Sequence, residues 1–476
     1  MICISAATVC KGRVCAIGVA IWFAALPVAA QLDASGAVWR AASRLGYGLT
    51  VLNAQAASSD PKAWAAQQID VALAASQQPP SIPADLAQFN RPMGILAKDY
   101  LAEREARRNV RAPAPGALAM ASDADALAFS LGMTQTAQTW RLMACSDPTL
   151  ENPLLARMTE FWFNHLNVFV GKGNVRPFVG HYVVNAIRAN ALGKFEDLLL
   201  ASARHPAMLF YLDQAQSNVR GLNENYAREL MELHTLGVDA GYTQNDVREL
   251  ARILTGWTTG LQQGEGFRFA ERLHDNGSKT LLGRSFHGGG LKQGEDAIRM
   301  LAGHPATARR IATRLATTFV SDQPPQLLID QLAITFTRTQ GDIAAVMRTL
   351  VASPDFWRAD NTLFKTPLDF ACSALTAGGG VKERRDIQLT LGFLAQAGQP
   401  LHGWQTPDGY KTDAATWLAP EALTRRADFA LTLGTRISEP VYLQPFLSPA
   451  SLERIARAPP ATRTGLMLAS PDFMRK

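Results

Sequence analysis

From Pro153 onward the apolar residues of this chain recur at intervals of three and four, and that rhythm limits what it can fold into more than any other feature. Met158, Phe161, Trp162 and His165 stand at i, i+3, i+4 and i+7, one face of a helix. Val179, Val183, Ala186 and Ile187 repeat the pattern between Phe178 and Ala191, and Ile343, Val346, Met347, Leu350 and Val351 repeat it again. Start signals fall where helices need them: Asp60-Pro61 offers a cap followed by a proline at the first helical position, and Thr243 with Asp246 has capping-box spacing. The period changes once. Between Gly264 and Phe286 the alternation of F-R-F and then K-T-L-L around Asp275-Asn276-Gly277 predicts a small β-hairpin.

The expected fold class is therefore mainly α, a multi-helix globular domain with a small β-hairpin insertion near 264–286. A proline-rich stretch at 112–116, A-P-A-P-G, separates an N-terminal helical layer (31–116) from a main helical domain (117–476). In that layer, Glu103 and Arg107 lie one turn apart on a charged helix, the pattern of a solvated face. With 476 residues, 47% of them apolar and 18% charged, the chain can bury a large core, which excludes disorder as the default.

Lys11 and Arg13 precede an apolar run from Val14 to Leu26, and Val28-Ala29-Ala30 offers small residues for cleavage. Residues 1–30 are thus expected to be a secretory signal peptide and the mature chain periplasmic or secreted. No later stretch is long and apolar enough to span a bilayer. Without Lys11 and Arg13 the balance is 45 basic against 41 acidic residues, too mild for a nucleic-acid footprint. Cys145 and Cys372 are the two cysteines beyond the signal. Export permits a disulfide between them; two free buried thiols fit the sequence equally well.

The densest group of ionisable residues is Asn223 to Gly237, N-E-N-Y-A-R-E-L-M-E-L-H-T-L-G, which predicts a helix capped by Asn223 and stopped by Gly237. On a helical wheel Tyr226, Leu230 and Leu233 form the apolar stripe, and Glu224, Arg228 and Glu232 lie opposite. Those three suit an exposed ladder of ion pairs as well as a site. Glu229 is more telling, because a carboxylate bordering the packed stripe must find a partner. Glu229 and His234 project about 140° apart, so a metal held by Glu229 or Glu232 needs a ligand from elsewhere. His165 is the candidate, although its place among core residues suits a hydrogen-bonded core histidine better.

His274-Asp275 with Lys279 forms a second cluster, able to act as base or ligand beside a tight turn; the simpler alternative has Asp275 capping its turn and His274 solvated. Trp257, Trp404 and Tyr410 could stack on a sugar, or anchor core and loops. H-E-x-x-H, G-x-S-x-G and strand-led G-x-G-x-x-G are absent, which removes the common hydrolase and dinucleotide signatures. The candidate catalytic residues are Glu224, Arg228, Glu229, His274, Asp275 and Lys279; the candidate ligands of a divalent metal are His165, Glu229 and Glu232.

With these residues in view, the chain resembles the bacterial domain of unknown function 1800 family. The matching segments are Arg44 to Gly48, Phe161 to His165, Asn223 to Gly237, Tyr242 to Trp257, His274-Asp275 with Lys279-Thr280, and the Ser-Pro-Asp-Phe runs at Ser353 and Ser470. The resemblance implies an exported, mainly helical protein. It also implies a partner from the exported, sulfatase-like domain of unknown function 1501 family, whose members are often encoded beside it. It brings no established reaction. Many relatives carry a second histidine where Phe163 stands here, which weakens a two-histidine metal site in this segment.

Two functions are expected from these features. One is an extracytoplasmic enzyme, metal-assisted in one form, acting on an envelope or extracellular polymer through one hollow shared by Glu224, Glu229, His165 and His274. The other is a non-catalytic binding or scaffold module for the co-secreted partner, with the same residues holding helices in register.

Overall fold

The computed structural model describes residues 28–111 and 121–476. All but the last three residues of the expected signal segment, the 112–116 linker and the boundary at 116/117 lie outside the described residues. The remainder is mainly helical, with two small two-stranded antiparallel sheets. No helix among the described residues is long and apolar enough to cross a membrane.

The caps read from the sequence form. Asp60 accepts from the backbone N–H groups of Lys62 and Ala63 ahead of the Pro61–Ser76 helix, and Thr243 and Asp246 make a reciprocal capping box at Gln244–Leu254. Two apolar cores result. The larger is built by residues from Ala41 to Phe356 and includes Trp162, Phe195, Leu230 and Leu250. The smaller unites the C-terminal segment, Phe364 to Met474, with Val38, Ala42, Tyr47 and Leu142. The Val28–Leu45 helix serves both, since Ala41 and Leu45 face one core and Val38 and Ala42 the other. A disulfide between Cys145 and Cys372 lies within the smaller core and joins the end of the Ala121–Ser146 helix to the Pro367–Ala377 helix, closing the alternative that the sequence left open.

Three local expectations are corrected. Glu103 is buried, not solvated: it accepts from the Ser130 hydroxyl and pairs with Arg107 at 2.8 Å, because the Ala121–Ser146 helix packs over it. The β region is two sheets, not one hairpin. Trp257–Thr258 pairs with Arg268–Phe269, and Lys279–Leu281 pairs with Arg284–Phe286. The true hairpin turn is Leu282-Gly283, both at positive φ, as tight two-residue turns require. Asp275-Asn276-Gly277 is instead an Asx turn, in which Asp275 Oδ1 accepts from Gly277 N at 2.8 Å. Lastly, Phe178 to Ala191 is not one α-helix: 3-10 turns flank a π-helical stretch at Tyr182–Ile187. Arg188 consequently leaves the face shared by His181 and Asn185: it is buried against Glu151, while exposed Asn185 donates to His181 O at 3.0 Å and to Asn90.

Candidate functional site

The acidic segment begins as predicted and then departs from α geometry. Asn223 Oδ1 caps the backbone N–H of Asn225, Asn225–Glu229 is α-helical, and Leu230–His234 is π-helical. Gly237, at φ 93°, closes the turn by donating to Met231 O at 3.1 Å. The extra residue per turn rotates the side chains beyond Glu229 about the axis. Met231 and His234 become fully buried and Leu233 moves to the edge, where an α-helical wheel puts Leu233 inside. Glu224, Arg228 and Glu232 stay outside as a partly exposed ladder. Arg228 lies 3.3 Å from Glu224 and 3.5 Å from Glu232, and Gln244 bridges Arg228 and Glu224.

The Pro153–His165 helix and the residues after it tie this segment to a distant loop. Trp162 donates to Ala191 O at 2.8 Å, and His165 Nε2 lies 3.0 Å from the carbonyl of His234. Burial, with Arg314 and His234 next in weight, pushes the His165 imidazole well below its usual range, so it is a neutral donor locking the π segment. Asn164 and Asn167 grip the turn-rich loop. Asn164 donates to Tyr410 O at 2.8 Å and accepts from Tyr410 N at 2.7 Å, and Asn167 donates to the carbonyls of Trp404 and Thr406. Gly409 makes this fit possible. Its φ is 74°, and a Cβ there would lie 2.0 Å from Asn164 O.

Between these parts is a cavity of about 80 Å³ at the seam of the two cores. Arg141 and Glu160 form a two-pronged ion pair on one wall, and Arg157, Asp369 and Lys476 form a buried triad on another. His402, at φ 60°, accepts from Arg141, and burial plus that guanidinium keeps its ring neutral. Arg314, Thr318, Tyr410 and Thr412 are shared with an open hollow of about 320 Å³ that also reaches Asp408.

Glu229 is not part of the lining of either space but lies within electrostatic reach of Asp408 and Tyr211. It accepts no hydrogen bond and has no cation within 4 Å among the described residues, although it is only partly exposed. Burial, then Glu232, and more weakly Asp408 raise its pKa against the opposing pull of Arg228. Tyr211, which donates to Gln405 O at 2.8 Å, feels both Glu229 and Asp408, so the Trp404–Tyr410 loop is within electrostatic reach of the carboxylate. Trp404 and Tyr410 pack their rings 4.8 Å apart.

The second predicted cluster is elsewhere. His274 is buried, not solvated, with Nδ1 2.8 Å from Thr255 O and Nε2 without a partner. Asp275 pairs with Arg252 at 2.7 Å, and buried Lys279 donates to Asp275 O and, at 2.8 Å, to Gln293 Oε1. These bonds fix the sheet region to the Gln244–Leu254 and Leu291–Ala302 helices. Among the described residues, no hydrogen bond, ion pair or electrostatic influence links His274, Asp275 or Lys279 to Glu224 or Glu229. The single shared hollow is thus corrected to two separate clusters. His165, Glu229 and Glu232 do not assemble as metal ligands either. His165 Nε2 faces a backbone carbonyl, and no group of three His, Cys, Asp or Glu among the described residues could hold a metal ion.

Reasoning from sequence missed Arg141, Arg314, Asp369, His402 and Lys476, which look like ordinary helix or loop residues one at a time. The available signal was the pair of amides in F-W-F-N-H-L-N and the positive-φ requirement latent in P-D-G-Y.

Fold and site together define a mainly helical protein with a polar internal cavity and, outside its lining, an unpaired carboxylate. The chain belongs to the family described as Protein of unknown function (DUF1800), whose model matches residues 40–475. Neither a curated protein nor a solved structure matches it.

Proposed function

We propose that this chain is an exported enzyme acting in the periplasm or outside the cell on an envelope or extracellular polymer, with Glu229 as its acid–base group. The observation that carries this is the Glu229 carboxylate itself: partly buried, unpaired, pushed toward its protonated form, and within electrostatic reach of Asp408 in the aromatic loop. A carboxyl group raised above its ordinary range holds its proton more readily and is better suited to acid–base work. Trp404 and Tyr410 supply flat apolar surface of the kind on which sugar rings stack. Arg228 and Glu224 belong to the surface ladder and assist only through charge, and the His274 cluster has a structural part. No step is routed through a metal. Export is supported by the basic, apolar and small-residue order of residues 11–30.

Purified protein incubated with fractionated envelope polymers should release soluble fragments, and Glu229→Gln should lower the rate by roughly 10²-fold or more. No release from any fraction, or equal release by the variant, overturns the enzyme reading. A second reading has one observation in its favour. Asn164, Asn167 and His165 each bond backbone groups of remote segments and hold them in register, as a scaffold for a sulfatase-like partner of the domain of unknown function 1501 family would need. Stable capture of that partner by Glu229→Gln, with no polymer release by either form, would favour it.

A further inference from the structure

The charges around the cavity do not balance. Arg141, Arg157, Arg314 and Lys476 line it, against the carboxylates of Glu160 and Asp369. Behind the wall, Lys365 and Arg426 are fully buried, and their side-chain nitrogens have no hydrogen-bond partner; the carboxylate acting on each is again Asp369. A cation in such surroundings either loses its proton or is met by an anion. Lysine can take the first course, and burial drives Lys365 toward it. Arginine cannot.

Arg314 is the informative residue, because it reaches the cavity. It donates no hydrogen bond and has no carboxylate within 4 Å among the described residues; the acidic group acting on it is Asp408, at longer range. Its Cα lies one helical turn from Arg310, which is held by Leu233 O at 3.0 Å, so a second guanidinium reinforces the positive field. Around Arg314 the lining offers the Thr412 hydroxyl as a donor suited to oxygen atoms, and Phe163 and Tyr410 as flat walls, while the Thr318 hydroxyl donates to Arg314 O at 2.8 Å. The cavity itself offers about 80 Å³, room for an oxyanionic group, and the open hollow that shares Arg314 offers about 320 Å³, at the lower end of small-ligand sites.

We propose that the cavity binds an oxyanionic group, a carboxylate, phosphate or sulfate, with Arg314 as the residue that engages it and the adjoining hollow taking the sugar-sized remainder of the ligand. The planar guanidinium matches such groups through paired N–H donors. The proposal deepens the polymer-enzyme reading by making the polymer acidic, and it rests on that reading for the natural ligand. Binding is nevertheless measured without turnover, so the two can fail separately.

The test is thermal-shift and calorimetric titration of the purified protein with glucuronate, inorganic phosphate, inorganic sulfate and neutral glucose, at ionic strength matched with sodium chloride. Saturable binding of at least one oxyanion, absent for glucose, is expected in the wild type and in Glu229→Gln, weakened about tenfold or more in Arg314→Gln. Arg314→Lys keeps the charge without the fork and should fall between them, which guards against misfolding of the glutamine variant. A response to glucuronate assigns a carboxylate-bearing ligand, and one confined to phosphate or sulfate assigns an ester. Glucose binding equal to glucuronate, no oxyanion effect beyond chloride, or undiminished binding by a folded Arg314→Gln overturns the proposal. Retained oxyanion binding in a protein that degrades no polymer would sink the enzyme reading while leaving the anion site standing.

Discussion

Gly409→Ala tests whether the aromatic loop is pinned as described. Gly409 has φ 74°, a region in which a residue with a side chain pays about 1–2 kcal/mol. Its added Cβ would also come within 2.0 Å of the Asn164 carbonyl and 2.8 Å of Asn164 Oδ1, so the loop must lift. Lifting breaks the two Asn164 to Tyr410 hydrogen bonds, each worth roughly 0.5–1.5 kcal/mol net. The sum is a loss of roughly 2–5 kcal/mol. Gly398→Ala provides the internal control, since Gly398 has φ 81° and nothing within 4 Å of the new methyl, which leaves the conformational term of about 1–2 kcal/mol. Urea unfolding followed by tryptophan fluorescence gives both numbers, and hydrogen exchange over 399–413 reports whether the loop has come away. Equal losses in the two variants, with loop protection unchanged, would refute the pinning of the loop by Asn164.

Stability should fall on acidification through the buried imidazoles. His234, buried beside Arg310 and Arg314, is depressed to about 3, so between its ordinary value near 6.5 and that point the unfolded chain binds the extra proton. Its contribution is intact above pH 6.5 and declines below it, by about 2 kcal/mol at pH 5; urea midpoints at pH 7.5 and 5 should show a smaller drop for His234→Leu. Replacing both Cys145 and Cys372 by serine opens a link across 227 residues and should cost about 5 kcal/mol on chain-entropy grounds, read from chemical denaturation. Arg228→Gln, in contrast, removes partly exposed pairs and should shift stability by less than about 1 kcal/mol in the same assay.

Helical class, caps and the oddness of Glu229 were legible because they depend on residues within one or two turns of each other. Glu229 borders the packed stripe in the structure as on the wheel. The rest of that helix misleads: a 100° step cannot anticipate the π segment at Leu230–His234, so the wheel puts Leu233 inside and leaves Met231 out. The cavity was illegible for a different reason. Arg141 and His402 are 261 residues apart and Arg157 and Asp369 are 212 apart, and no local pattern marks an arginine that will be buried by a segment so remote. The His274 cluster shows the opposite error, where neighbouring ionisable residues suggest chemistry and the fold uses them to dock a sheet.

The central claim is that Glu229 is held without a partner in surroundings that favour its protonated form. A carbon-13 NMR titration of side-chain-labelled glutamates, with Glu229→Gln identifying the resonance, measures this without knowledge of the substrate. A Glu229 pKa above the ordinary glutamate value supports the account; a value at or below it, as for a carboxylate paired with Arg228, contradicts it.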